Sequence, residues 1–206
     1  QYDKFDFIDK QLVAYTEDSI HILNQETEKI LIEVKNINTS ETKIKSIESI
    51  EEKTHINCIN KDGYTSLYIY DNNNKEISRI EGKYEKITID KNKIYAINDQ
   101  EAKTYETNGT LTKTVALDKI NIKEVIQNYI IAVDAEELKI INMDNGNKIE
   151  LLKNIDNNIV ITKVEKNEKT KEIKILLSEH NNETILKKYE ITYNVETKKV
   201  ETKNIN

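Results

Sequence analysis

Apolar residues along this chain fall in short runs, many of them β-branched or aromatic. Phe5-Asp6-Phe7, Ile44-Lys45-Ser46-Ile47, Ile87-Thr88-Ile89 and Ile159-Val160-Ile161-Thr162 are each bounded by Asp, Asn, Glu or Lys. That is the pattern of strands that bury a face between polar turns. No long window carries an apolar stripe of helical period. The nearest is Asp118 to Gln127, whose Ile120, Ile122, Val125 and Ile126 fit a strand as well. The pattern predicts an all-β chain.

A second regularity lies over the first. An apolar residue, a small residue, an apolar residue and a polar one recur as Val13-Ala14-Tyr15-Thr16, Tyr95-Ala96-Ile97-Asn98 and Ile131-Ala132-Val133-Asp134, with Asn57-Cys58-Ile59-Asn60 as a looser copy. Laying these copies over one another divides the chain into five units of about 40 residues, each with four strands. The boundaries fall at 1–39, 40–82, 83–118, 119–155 and 156–206. Unit three is the clearest, with strands at Glu85–Ile89, Lys93–Ile97, Ala102–Tyr105 and Leu111–Ala116. The last two strands of each unit flank a polar turn: Asn24-Gln25-Glu26-Thr27, Asp71-Asn72-Asn73-Asn74, Glu106-Thr107-Asn108-Gly109, Asp144-Asn145-Gly146-Asn147 and Asn194-Val195-Glu196-Thr197. Asn and Gly recur there because tight hairpins need positive φ, which Gly tolerates freely and Asn nearly so. There is no proline and no Ser/Gly-rich linker, so residues 1–206 read as one repeat domain.

The small residue has a physical meaning. Where sheets bury both faces against neighbours, a small side chain at a fixed place in the second strand lets the next sheet approach. Ala14, Ala96 and Ala132 fill that position, Cys58 takes the same slot, and the spacing puts Leu176 there in the fifth unit.

Hairpins such as Ile69-Tyr70-Asp71-Asn72-Asn73-Asn74-Lys75-Glu76-Ile77 resemble the blades of bacterial β-propellers of the broad WD40-like and PQQ-like repeat class. The resemblance runs along essentially the whole chain and implies a five-bladed β-propeller. A β-sandwich or an open stack of sheets is the alternative. A ring could close by blade-to-blade packing alone, or with an outer strand given to the last blade by Gln1–Phe7 or by sequence upstream of it.

Composition narrows the function classes. Charged residues make up 33% and apolar residues 37%, but the net charge is only −6 and isoleucine and valine abound, which favours a folded domain with a charged surface over disorder. Residues 1–103 carry 15 Lys+Arg against 20 Asp+Glu, and residues 104–206 carry 16 against 17. Neither half is a basic footprint, so no nucleic-acid partner is expected. Lys187-Lys188 and Lys198-Lys199 are broken by Glu190 and Glu196 and read as a solvated face. No apolar run reaches the ~18 residues of a spanning helix, so this segment is not expected to insert in a membrane. The chain opens at Gln1 rather than Met, from which we expect a removed upstream segment carrying a signal or anchor.

Candidate chemistry is sparse. Cys58, the one cysteine, excludes an internal disulfide, and its slot in the repeat argues for packing over nucleophilic or metal chemistry. His21, His55 and His180 lie in different units and form no ligand pair; His55 and Cys58, three apart in a strand, point to opposite faces. The turns at Asp71 and Asp144 are similar to calcium loops, but Lys75 and Lys148 stand where ligands belong. Tyr15, Tyr70, Tyr95 and Tyr105 sit inside strands and read as packing residues. Asn38-Thr39-Ser40, Asn108-Gly109-Thr110 and Asn182-Glu183-Thr184 match the glycosylation pattern. No catalytic, cofactor-binding or metal residue is assigned, and no cofactor is expected. The expectation is a non-catalytic binding or scaffold module with a protein partner or envelope ligand, the soluble part of a larger or membrane-anchored protein. Its expected location is extracytoplasmic or at the cell surface, with a cytoplasmic one as the alternative. The competing reading is a hydrolase or lyase working at the mouth of a propeller channel.

Overall fold

Each apolar run forms a strand, and every strand pairs antiparallel with the next within its unit. The computed structural model describes residues 2–155, 158–182 and 184–205. The first sheet is β1 (Lys4–Ile8), β2 (Gln11–Tyr15), β3 (Ser19–Leu23) and β4 (Ile30–Lys35). The second is β5 (Thr42–Ile50), β6 (Lys53–Asn60), β7 (Thr65–Tyr70) and β8 (Glu76–Tyr84). The third is β9 (Lys86–Asp90), β10 (Lys93–Ile97), β11 (Glu101–Glu106) and β12 (Leu111–Ala116). The fourth is β13 (Asn121–Ile126), β14 (Tyr129–Asp134), β15 (Glu137–Asn142) and β16 (Lys148–Leu152). The fifth is β17 (Ile159–Asn167), β18 (Glu172–Asn181), β19 (Thr184–Asn194) and β20 (Val200–Asn204). Five separate four-stranded meanders are the blades of a propeller, not the two facing sheets of a sandwich.

β1 is bonded to β2 inside the first sheet, from Lys4 opposite Tyr15 to Ile8 opposite Gln11. Sheet five is formed by its own four strands. Gln1 lies outside the described residues. Among the described residues no helix is long and apolar enough to cross a membrane.

The chain forms two compact units. The first holds the chain to Asn98 together with Lys103–Thr114; the second holds Asp99–Ala102 and the chain from Val115. In the first unit, Val13, Tyr15, Ile20, Ile22, Ile32 and Val34 of sheet one meet Ile44, Ile56, Cys58, Tyr68 and Tyr70 of sheet two. The alternate residues of β7, Leu67 and Ile69, join Ile80 and Tyr84 against Ile87, Ile94 and Ala96 of sheet three. Sheet two is thus buried on both faces, which is why β7 reads as a nearly continuous apolar run. In the second unit, Tyr129, Ile131, Val133 and Ile140 of sheet four pack on Ile159, Ile173, Ile175, Leu177 and Ile191 of sheet five.

The small-residue slot is real, with one change of register. Ala14, Cys58, Ala96 and Ala132 are all at most 1% exposed, and Cys58 and Ala96 face the preceding sheet. Cys58 lies opposite Ile44 and Ala132 opposite Ile122, and in both sheets a β-bulge follows at once. In the fifth sheet the same bulge follows Ile161, which lies opposite Leu177. Leu177, not Leu176, therefore occupies the slot, buried against sheet four, while Leu176 is half-buried. A bulge adds an unpaired residue, so linear spacing miscounts across it by one.

The turns depart from expectation in how they use Asn. Gly109, Gly146 and Asn74 do adopt positive φ, but Glu28 and Lys198 do so in the first and fifth sheets. The asparagines and Asp71 serve mainly as acceptors that pin the turn. Asn24 Oδ1 accepts from the amides of Glu26 and Thr27, Asp71 Oδ1 from Asn73 and Lys75, and Asn194 Oδ1 from Glu196 and Thr197. Such side-chain turns satisfy amides that the ladder leaves free.

Gly109 is the glycine with the tightest setting. Its φ is +85°, and a Cβ there would stand 2.1 Å from Ser78 Oγ and 2.5 Å from Ser78 Cβ. The hairpin tip of sheet three is thereby seated on β8. Gly109→Ala should lower unfolding free energy by about 1–3 kcal/mol through left-handed strain and overpacking. The urea midpoint would fall at unchanged slope; an unchanged midpoint would contradict the close seating.

Candidate functional site

An open groove of about 1460 Å³ lies at one end of sheets one and two in the first unit. Three segments build it. Asp3 leads into β1, which opens at Lys4; Tyr15 ends β2 with Glu17 and Asp18 in the following turn; and residues 36–43 make up the connection after β4 and the first two residues of β5.

Its walls are fixed by local hydrogen bonds. Thr16 Oγ1 donates to the Ser19 carbonyl and accepts from the Ser19 amide, 3.2 and 3.1 Å. Thr39 Oγ1 donates to the carbonyls of Thr16 and Glu17, and the Ile37 amide donates to the Asp18 carbonyl at 3.1 Å. Asn38 Oδ1 accepts from Ser40 Oγ at 2.7 Å, closing the tip of the second wall. The loops therefore hold each other and need little ordering on binding, which lowers the entropic cost of association.

The lining is polar and of mixed sign. Asp3, Glu17 and Asp18 bring carboxylates, and Lys4 and Lys43 bring ammonium groups. Tyr15 forms part of the floor: it is 4% exposed, and the Lys4 ammonium stands 5.1 Å from its ring centroid. Burial raises the Tyr15 phenol above its ordinary value. The opening is wider than a typical small-molecule pocket of ~300–1,000 Å³. It suits an extended polar segment.

The residues singled out in the sequence lie elsewhere and apart. Cys58 is fully buried between sheets one and two, and burial pushes its thiol up to about 12. His21 is held between the Tyr2 hydroxyl at 3.2 Å and Glu33 Oε1 at 3.3 Å, with the Tyr2 ring edge-on. His55 is 1% exposed and gives Nε2–H to the Thr107 carbonyl at 2.9 Å. Thr107 Oγ1 in turn donates to Glu51 Oε2 at 2.6 Å, tying the turn between β5 and β6 to the hairpin of sheet three. Burial is the largest influence on His55 and lowers its pKa, against the upward pull of the Thr107 carbonyl.

Asp71 serves the turn amides, and Asp144 Oδ2 accepts from Asn128 Nδ2 at 2.7 Å. Among the described residues no three His, Cys, Asp or Glu side chains gather as a metal site. Of the three glycosylation patterns, Asn38 and Asn108 use their Oδ1 atoms within their own turns, and Glu183 of the third lies outside the described residues. Tyr15, Tyr70 and Tyr95 are buried and Tyr105 half-buried.

One pairing escaped the sequence reading. Ser178 Oγ and His180 Nε2 are 2.7 Å apart on β18. A serine and histidine two apart on a strand share a face, so the signal was there, but it is common to any strand. Ser178 is 4% exposed, which keeps its oxygen away from a substrate.

No family model matches the chain, and no curated protein matches it in sequence. Solved structures do resemble it. The WD40 domain of SCAP from fission yeast superposes with a TM-score of 0.50 at 10% identity, over 94% of this chain and 52% of that one. Kluyveromyces lactis Hsv2 gives 0.49 at 10% identity over 97% and 62%, and the Neurospora crassa Pan2 WD40 domain 0.48 at 9% over 100% and 65%. This chain spans between about half and two thirds of the length of these structures. The five four-stranded blades and the likeness to the SCAP domain define a β-propeller fold.

Two predictions follow from the buried groups. Cys58 should resist iodoacetamide at pH 8 in the folded protein and react fully in urea, since only the thiolate attacks; rapid native labelling would contradict its burial. His55 bears on pH dependence. Its folded pKa lies below the unfolded value near 6.5, so the unfolded chain binds the extra proton first. The stabilisation is complete above about pH 6.5 and is lost as pH falls toward the folded pKa. Chemical denaturation at pH 8 and 5 should show a smaller loss in His55→Gln than in wild type; equal losses would refute this.

Proposed function

We propose that this chain is a non-catalytic protein-interaction module that receives an extended, charged segment of a partner in the groove between residues 16–18 and 36–43. The observation that carries the reading is the groove itself. It is large, open and walled by loops already bonded to one another, and its lining brings Asp3, Glu17 and Asp18 together with Lys4 and Lys43. A stiff repeat scaffold that displays loops at one end is suited to holding another chain in place. Mixed charge sets the register of a partner and the speed of encounter more than raw affinity. The β-propeller fold is consistent with such a role.

Selection of peptides on the purified chain from a random displayed library tests the proposal. Enriched peptides should lose at least tenfold in affinity when Glu17→Lys and Asp18→Lys are combined, and should keep it in Lys169→Glu, at a residue that does not line the groove. They should also bind more weakly at high salt. Peptides that bind equally well to the groove variant, or a failure to enrich any, would overturn the proposal.

A further inference from the structure

A second cavity, independent of the groove, lies within the second unit where the turn ends of sheets four and five meet. It holds about 190 Å³, below the ~300 Å³ of drug-sized pockets. Tyr193, near the end of β19, lines it together with Lys198 from the turn that follows. Asn145 and Asn147 come from the turn between β15 and β16. Ile149 and Val195 add apolar wall, and the lining contains no Asp or Glu.

The repeat shows what this corner lacks. Tyr70, Tyr105 and Tyr193 each stand directly before the turn that joins the last two strands of their blades. The Tyr70 hydroxyl stands 3.1 Å from the Glu33 carbonyl and 3.2 Å from Glu76 Oε2, and that of Tyr105 meets the Tyr84 hydroxyl at 3.4 Å. Glu76 lies opposite Tyr70 in the ladder, and Arg79 Nη2 donates to its carboxylate at 3.0 Å. Sheet two thus supplies an acceptor for its tyrosine and a cation for that acceptor. In sheet five the residue opposite Tyr193 is Val200. Two residues before it, Lys198 has φ 59°, as Asn74 has φ 61° two before Glu76. A cation is kept, at Lys198, and the carboxylate is gone. Tyr193 is 5% exposed, and among the described residues nothing hydrogen-bonds its hydroxyl; burial alone raises its phenol above the ordinary value.

We infer that this cavity binds a carboxylate, seated where sheet two carries its own Glu76. One oxygen accepts from the Tyr193 hydroxyl, a donor that otherwise forfeits the bond it makes in water, and Lys198 brings the counter-charge. The rim supplies a donor for the second oxygen. Asn145 Oδ1 accepts from the Asn147 amide at 2.9 Å, which leaves Asn145 Nδ2 to donate. Asp144, in the same turn, does not line the cavity and holds Asn128 Nδ2 through its Oδ2 at 2.7 Å. An anion fits better than a neutral carbonyl, because the charged residue of the lining is a lysine and charge-assisted hydrogen bonds are about twice as strong as neutral ones. A cation would meet that lysine and find no carboxylate. The carboxylate can come from a small free acid or from an Asp or Glu side chain of a partner.

Titration of the isotope-labelled protein with propionate, propionamide and acetyl-glutamate-N-methylamide tests the inference by NMR. Propionate should shift the Asn145 side-chain amide and the Tyr193 ring, whereas propionamide, of the same shape without the charge, should not. The chain carries a net charge of −6, so shifts confined to this cavity do not come from a general attraction of anions. Tyr193→Phe removes a hydroxyl that no described group uses, so it should fold as wild type and weaken propionate at least tenfold. Lys198→Gln should weaken propionate too and flatten its salt dependence. Tighter binding of the glutamate derivative than of propionate identifies a peptide side chain as the source, and the reverse order a free acid. Equal shifts from propionate and propionamide, an unchanged affinity in Tyr193→Phe, or no shift at Asn145 and Tyr193 up to the solubility limit would overturn the inference and leave the cavity to water.

Discussion

Everything in this fold depends on apolar sheet faces being covered by neighbouring sheets. A lone four-stranded meander with Val, Ile and Tyr on both sides could not hide them from water. Sheet two shows the constraint most fully. Tyr68 and Tyr70 turn to sheet one, while Leu67 and Ile69 turn to sheet three. Small side chains at Cys58 and Ala96 let backbones approach, and bulges after Ile44, Ile122 and Ile161 interrupt the first strands of sheets two, four and five. With only four glycines in the chain, the turns at Asn24, Asp71 and Asn194 are held by side-chain acceptors instead. The same constraint takes Cys58 and His55 out of solvent and shifts both away from their ordinary titration.

Much of this architecture was legible in the alternation of apolar residues. All five blades and the strand at each place in them follow from periodicity and from the Asn- and Gly-bearing turns, with strand ends moving by one to a few residues. What escaped is what linear spacing cannot carry. The bulge after Ile161 shifts the slot from Leu176 to Leu177, because an extra residue in the facing strand changes the count. The bond from His55 to Thr107 joins residues 52 apart, and no local pattern announces it.

The groove was less legible than the fold. Its residues come from three short segments of ordinary polar composition, and their meaning arises only when β2, β4 and β5 bring Tyr15, Asp18 and Thr39 together. Asn57 is different. It stood in the sequence as a loose copy of the repeated phrase, and the structure gives that looseness a place: a polar residue with an unpaired oxygen in an apolar row. In a repeat protein the member that breaks the rule is informative, because its siblings display what packing alone would choose.

Native-state hydrogen exchange measures the dependence on sheet-to-sheet burial most directly. Amides of β2, β6, β7, β14 and β18, whose side chains fill the faces between sheets, should exchange slowest and approach the global unfolding free energy. Amides of β4, β12 and β20, each at the edge of its sheet, should exchange faster by local opening. Protection that is greatest in those edge strands, or uniform across each sheet, would contradict the account.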